Sequence, residues 1–448
     1  MDLRSTAAAV AVAVSAIAAA PSSAQTSKES VWDGTVIGFD YNSGGMLGDM
    51  GGLRSRLAGA GFNFNLVYGS ESAANLHGGY NADRHLSYVD QLALLASQDL
   101  ERYTGIPDAR IELLVTNRNH DDNLTTVRLQ DPRASFNDLS QEVWGGGSIT
   151  RLGYLTFSRS FLGRRLHWRF GQMNYQQTFD QIAPCDFQLL SLCGGKSAYA
   201  RSWDTWNIHT LGTTLAYDFS PSFTLKAGVL EKNDLSSQRG RSWSFDTRGS
   251  RGVLIPVEGQ VKTTVNGLPG LVNLGVQFNN ARMEELYTAP GQAARTRDRT
   301  WFMWGGFNQQ ITRRAGASNR GMSLSGQFAL ADQRTDPFHR VASLALRYRG
   351  LFDALPNDWI GLGVSWLDMS KDLASAQQQL NDRNGIRDFY DPAWVPVAGH
   401  SVNAELHYRF RPLGWLEIQP DLQYWIHPGA VRQTPNAVVI GLKTVVRF

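Results

Sequence analysis

Ala437-Val-Val-Ile-Gly-Leu-Lys-Thr-Val-Val-Arg-Phe448 reads with a period of two. Val438, Ile440, Leu442, Thr444, Val446 and Phe448 share one face, against Gly441, Lys443 and Arg447 on the other. Successive side chains of a strand point to opposite faces, so this alternation specifies a strand and not a helix. The same pattern recurs upstream. Val402, Ala404, Leu406, Tyr408 and Phe410 oppose Asn403, Glu405, His407, Arg409 and Arg411, and Leu166, Trp168 and Phe170 oppose Arg165, His167 and Arg169. Such stretches fall near 61–69, 86–97, 110–117, 150–161, 165–172, 207–219, 223–231, 253–265, 271–281, 299–311, 321–331, 340–349, 359–368, 400–411, 415–427 and 437–448, which makes sixteen.

Composition narrows the class. Lys+Arg 43 against Asp+Glu 40 leaves a net charge of +3, with no polybasic footprint for nucleic acid. Only 19% of the 448 residues are charged and 11% are aromatic, which disfavours disorder. Past residue 20 no apolar run approaches the ~18 residues a spanning helix needs. The first 24 residues read as an export signal: Arg4, a small-apolar run from Ala7 to Ala20, then Ser22-Ser23-Ala24 for cleavage. Export implies an oxidising compartment, where Cys185 and Cys193 can pair and close a small loop. A zinc site competes poorly with that pairing, because four suitable ligands are not clustered.

Alternation alone fits a soluble sandwich as well as a membrane barrel. Three features favour the barrel. The polar face is charged in strand after strand, as a wet lumen requires. Aromatics (Tyr217, Phe219, Trp359, Trp415, Tyr424) gather near strand ends, as interfacial girdles do. The final amphipathic stretch ends on Phe448, which resembles the recognition signal of outer-membrane barrels. Turn spacing agrees: gaps at 162–164, 220–222, 266–270 and 412–414 are tight, while 118–149, 173–206 and 369–399 are long. Short turns on one side and long loops on the other is the outer-membrane arrangement. The reading is therefore an all-β, transmembrane, antiparallel β-barrel of sixteen strands in a bacterial outer membrane. Residues 1–24 form the signal peptide, 25–60 a periplasmic lead-in that includes an ambiguous stretch at 32–41, and 61–448 the barrel, with loops 118–149 and 173–206 folded inward. Sixteen strands leave room for an aqueous channel.

Particular segments then resemble the carbohydrate-selective porins of the OprB family. They are Gly61-Phe-Asn-Phe-Asn-Leu-Val-Tyr-Gly-Ser-Glu71 with Asn75-Leu-His-Gly-Gly79, Gln141-Glu-Val-Trp-Gly145, Pro184-Cys-Asp-Phe-Gln188 with Cys193, Val265-Asn-Gly-Leu-Pro-Gly270, and Trp415 to Tyr424 with Pro428-Gly429. The resemblance spans about residue 46 to the end. It implies passive diffusion of carbohydrates, monosaccharides such as glucose foremost, with no cofactor and no metal. It also implies a Cys185–Cys193 disulfide and an arginine, Arg118, at the constriction. Departures at Tyr175–Phe179 and Trp203–Gly212 flank the third long loop and bear on sugar preference.

Sugars present hydroxyls and weakly apolar ring faces, so a selective channel needs acceptors, forked donors and aromatic surfaces near one narrow point. Arg118 supplies a planar fork suited to adjacent hydroxyls, or it only sets the lumen field. Glu71 and Asn75, expected to open the first extracellular loop, can contact sugar or brace that loop. Glu142 and Trp144 adjoin Gly145 to Gly147, which lets backbone approach closely; Trp144 fits packing better than a sugar platform. Arg151 and Arg169 face the lumen by parity. The partners expected are sugars and outer-membrane lipid, with the barrel a monomer or homotrimer and no nucleic acid bound. Two alternatives stand: a general porin, or one for another small polar solute, and, more remotely, a barrel hydrolase using His167 or His407, since triads are recognised by geometry.

Overall fold

The computed structural model describes residues 45–448 apart from 183, 205 and 315–319. The expected signal peptide and the 32–41 stretch lie outside the described residues. The strands are β1 Phe62–Gly78, β2 Leu86–Asp99, β3 Ala109–His120, β4 Thr150–Phe161, β5 Leu166–Met173, β6 Thr210–Ser220, β7 Phe223–Asn233, β8 Ser250–Val265, β9 Leu268–Asn279, β10 Thr300–Gln310, β11 Gly321–Ala331, β12 Phe338–Arg349, β13 Trp359–Met369, β14 His400–Leu413, β15 Leu416–Ile426 and β16 Ala437–Arg447. Each pairs antiparallel with its chain neighbours, and β1 closes on β16 to complete one barrel. Every stretch expected from the period of two overlaps one of these strands. The sandwich alternative, two open sheets, is excluded.

The barrel is apolar outside and polar within. On β5, Phe170 is 46% exposed while Arg169 is 0% exposed. On β16, Ile440 and Leu442 face out while Val439, Gly441 and Lys443 face the lumen. That inversion is what a lipid-facing belt around a polar interior requires.

Turns at 162–165, 221–222, 266–267 and 414–415 crowd one end. The Asn266-Gly267 turn takes two residues at φ 51 and 73, a mirror-image hairpin turn that Asn-Gly suits. The expected 266–270 loop is therefore shorter, because Leu268 already pairs with Val265. Helix α1, Leu53–Gly59, lies at this end, where Arg54 donates to the Phe64 and Phe448 carbonyls. At the other end, the 370–399 loop contains a helix that alternation did not reveal, α2 Lys371–Asn384. It is capped by the Ser370 side chain and stopped by Gly385 at φ 67.

The first strand differs from expectation. It runs on to Gly78, so Glu71 and Asn75 sit on the lumen face of β1 and do not open a loop.

Two long loops fill much of the lumen. Tyr175, Phe179, Tyr199 and Trp203 pack against Leu230, Phe302, Trp304 and Phe338 of the wall. Phe187, Leu189 and Leu192 pack against Leu124, Leu129, Trp425 and Val439. Burying such side chains contributes about 1.5–3 kcal/mol each, enough to hold irregular backbone inside a wet barrel.

Candidate functional site

The 121–149 and 174–209 loops meet inside the barrel and bond to one another. The Glu142 amide donates to the Gln188 carbonyl and the Leu190 amide to the Leu139 carbonyl, both at 3.0 Å. Cys185 and Cys193 form a disulfide within the second loop. Buried wall groups pin it. Glu405 on β14 accepts the Gln188 and Leu189 amides at 3.1 and 2.6 Å. Arg347 on β12 grips Asp186 through Nε at 2.6 Å and Nη2 at 2.7 Å. Asp138, from the first loop, ties Ser191, Tyr199 and Asn403 together.

The pinned loops leave a recess against the wall of β14, β15, β16, β1 and β2. Gln91, Glu142, Asp186, Arg409, Glu417 and Lys443 supply its polar lining. Lys443 is the hub of its inner side, with Nζ 2.9 Å from both Glu71 and Glu142. Its third donor meets the Phe187 carbonyl at 3.3 Å. Glu71 is fully buried and also accepts the Val143 amide at 3.1 Å, whereas the Glu142 side chain keeps 16% exposure. Glu142 is thus the carboxylate that faces the passage.

The expected site residues divide around this hub. Arg118 is buried. Its Nε donates to Gln91 at 2.7 Å and its Nη1 to the Trp144 and Gly145 carbonyls at 2.8 Å. It therefore braces the recess wall and the loop. Glu71, Glu142 and Arg118 come together. Trp144 turns its ring to His120, 3.8 Å away between centroids. Asn75 braces the 83–85 turn, donating to the Asp83 carbonyl and accepting from the His85 amide. Arg151 lies across from Thr116 and donates to the Ser237 carbonyl at 3.2 Å, toward another loop. Arg169 bonds Glu112 at 2.7 Å and the Gln177 carbonyl at 3.1 Å, holding the second loop from the opposite wall.

Lys443, Glu405, Asp186 and Arg347 escaped the sequence reading. Lys443 shares a lumen face with ordinary solvated charges, and its role exists only once β16 meets β1.

The two inward histidines differ in their surroundings. His407 is buried against Glu405 and Phe187. His167 lies between Ser160 (2.9 Å) and Asp218 (3.1 Å), but the Ser160 amide already donates to Asp108, so it is not free to steady an oxyanion. Among the described residues, the grouping of metal-ligand atoms is Glu142 with Cys185 and Cys193, whose sulfurs are consumed in the disulfide.

A closed sixteen-strand barrel with a loop-lined polar recess is now defined, and the model of the carbohydrate-selective porin family, OprB, matches residues 83–448. The chain belongs to that family. It is 34% identical to Porin B of Pseudomonas aeruginosa over 90% of this chain and 91% of the relative. It is 30% identical to the putative porin QuiX of Acinetobacter baylyi over 90% and 93%. Among solved structures, the high-pH form of Pseudomonas putida OprB superposes with a TM-score of 0.87 at 34% identity, covering 92% of this chain and all of that one. The low-pH form gives 0.57 at 25% identity. Like these OprB-family porins, the chain is a bacterial outer-membrane protein.

Proposed function

We propose that this OprB-family chain lets sugars diffuse passively through the recess, with monosaccharides such as glucose preferred. The observation that carries the reading is the polar gap between Glu142, Lys443 and Gln91, framed by loops pinned across the lumen. A carboxylate and amides in a narrow wet gap exchange hydrogen bonds with hydroxyls, and the same water keeps binding weak enough for release. Arg118 acts as a positioning residue, holding Gln91 and the backbone at 144–145. A general porin would keep a wide lumen, whereas here two loops occupy it. The barrel works as a channel and not as a catalyst.

Liposome swelling with monosaccharides, disaccharides and amino acids tests the substrate class. Glucose should enter faster than amino acids of equal size; equal rates would favour a general porin. Glu142→Gln should weaken glucose block of ion current about ten- to a hundredfold, the loss of a charge-assisted bond worth about 1.5–3 kcal/mol, and Arg118→Ala should weaken it too by releasing Gln91 and the 144–145 backbone. Arg118→Lys should not restore it, since a lysine cannot reach three acceptors with a planar fork. Unchanged block in both variants would remove this gap from the sugar's path.

A further inference from the structure

At the short-turn end of the lumen the inward-facing side chains become predominantly cationic. Arg349, Trp359 and Arg409 lie directly across from one another on β12, β13 and β14. The guanidinium carbons of Arg349 and Arg409 sit 5.5 and 5.6 Å from the Trp359 ring centroid. Arg409 and Arg447 reach Glu417 at 3.5 and 3.1 Å, and Arg411 pairs with the same carboxylate. The nearby Asp358 is occupied by the Tyr408 hydroxyl at 2.7 Å and the Arg411 amide at 3.1 Å. Four guanidinium charges therefore face two carboxylates, leaving this mouth positive.

Arg349 also donates through Nη2 to Asn357 at 3.0 Å, but three donors of the patch are idle. The Nε–H groups of Arg349, Arg409 and Arg411 are buried with no acceptor among the described residues. Buried donors ordinarily find partners, and a guanidinium fork is shaped for a carboxylate. The recess opens onto this patch, because Arg409, Glu417 and Arg447 line its lower wall beneath Glu142 and Lys443. Above, Glu71 and Glu142 are matched by Lys443 and Arg118. The field thus changes from balanced to basic along the solute's path.

We propose that this arginine mouth is an anion site that draws carboxylate-bearing sugars of monosaccharide size through the channel. The proposal rests on the channel reading above and adds a substrate class to it. A neutral sugar carries no net charge for the mouth to act on. A sugar carboxylate is attracted past Glu142 and held by forks stacked on Trp359. A cationic sugar is repelled at the same place. Rings of arginine give pores anion preference by this means.

The test uses the full chain in liposomes and planar bilayers, with D-gluconate, D-glucose and D-glucosamine as probes. At low salt gluconate should enter about tenfold faster than glucosamine, the gain expected of a focusing cleft. In 1 M KCl, where the screening length is about 3 Å, the two rates should converge. Arg349→Gln with Arg411→Gln, neither of which lines the recess, should cut gluconate entry about three- to tenfold and leave glucose entry as it was. Arg349→Lys with Arg411→Lys keeps the charges and should keep most of the preference, which also serves if the glutamine pair does not fold. Equal gluconate and glucosamine rates at low salt, or a ratio that the glutamine pair leaves intact, would overturn the proposal. Failure of glucose to enter would instead sink the sugar reading. The zero-current potential in a KCl gradient would still report the mouth's field, favouring chloride if the inference holds and potassium if it does not.

Discussion

Lys443 stands directly across the closing seam from Glu71, and its Nζ is 2.9 Å from that carboxylate and from Glu142. One cation thus bridges two acids, one of them fully buried. Lys443→Met should destabilise the folded protein by about 3–5 kcal/mol, the usual result of stripping one member from a buried ion pair. Adding Glu71→Gln should recover part of the loss. Urea titration followed by tryptophan fluorescence reads both effects, and a neutral Lys443→Met would show that the pair contributes nothing.

The Asp186–Arg347 fork predicts acid resistance of the loop. Burial alone would raise the Asp186 carboxyl, but the Arg347 guanidinium holds it well below the ordinary carboxylate range. A depressed folded value contributes stability above the unfolded value of about 3.9, lost only as pH falls through the depressed one. Single-channel conductance should therefore stay steady between pH 7 and about pH 4. Asp186→Asn should give noisier, larger currents already at pH 7.

Asp336 predicts the opposite sign. It accepts the Arg201 and Phe338 amides at 2.8 and 3.1 Å, and burial pushes its carboxyl up to about 7 against those two donors. A raised folded value contributes stability below about 3.9 that is lost as pH rises through the folded value. Hydrogen exchange at Arg201 should accelerate between pH 6 and 8 by more than base catalysis explains. Asp336→Asn should abolish that excess.

The disulfide predicts a local effect. Cys185→Ser with Cys193→Ser should leave the barrel folded while lowering the loop's resistance to opening by about 2–3 kcal/mol. Limited proteolysis should then cut within 174–209, where the parent resists. Denatured, unreduced parent should yield no free thiol.

Much of this was legible in the chain. Strands such as Leu166–Met173 carry large apolar and charged residues in strict alternation, so position and facing both follow from parity. The far half of β1 was not. Ser72, Ala73 and Ala74 are small on both faces, and the alternation that marks a strand vanishes there. Loop interiors failed for a different reason. Asp186 and Glu405 gain meaning from contacts across the lumen between residues remote in sequence. Period two says which way a side chain faces and not what it will meet. What hinted that the loop mattered was its length, the Cys185-Asp-Phe-Gln188 segment and the departures at Tyr175–Phe179 and Trp203–Gly212, the last two through the family resemblance.

Glu71 and Lys443 lie on the first and last strands of the barrel. The polar gate is therefore completed by the same event that seals the wall. While β16 is unpaired, Glu71 lacks its counter-charge, Glu142 lacks its anchor and the sheet is open along one side. A chain open at the β1–β16 seam thus has neither a closed wall nor a complete recess, and closing that one seam supplies both at once.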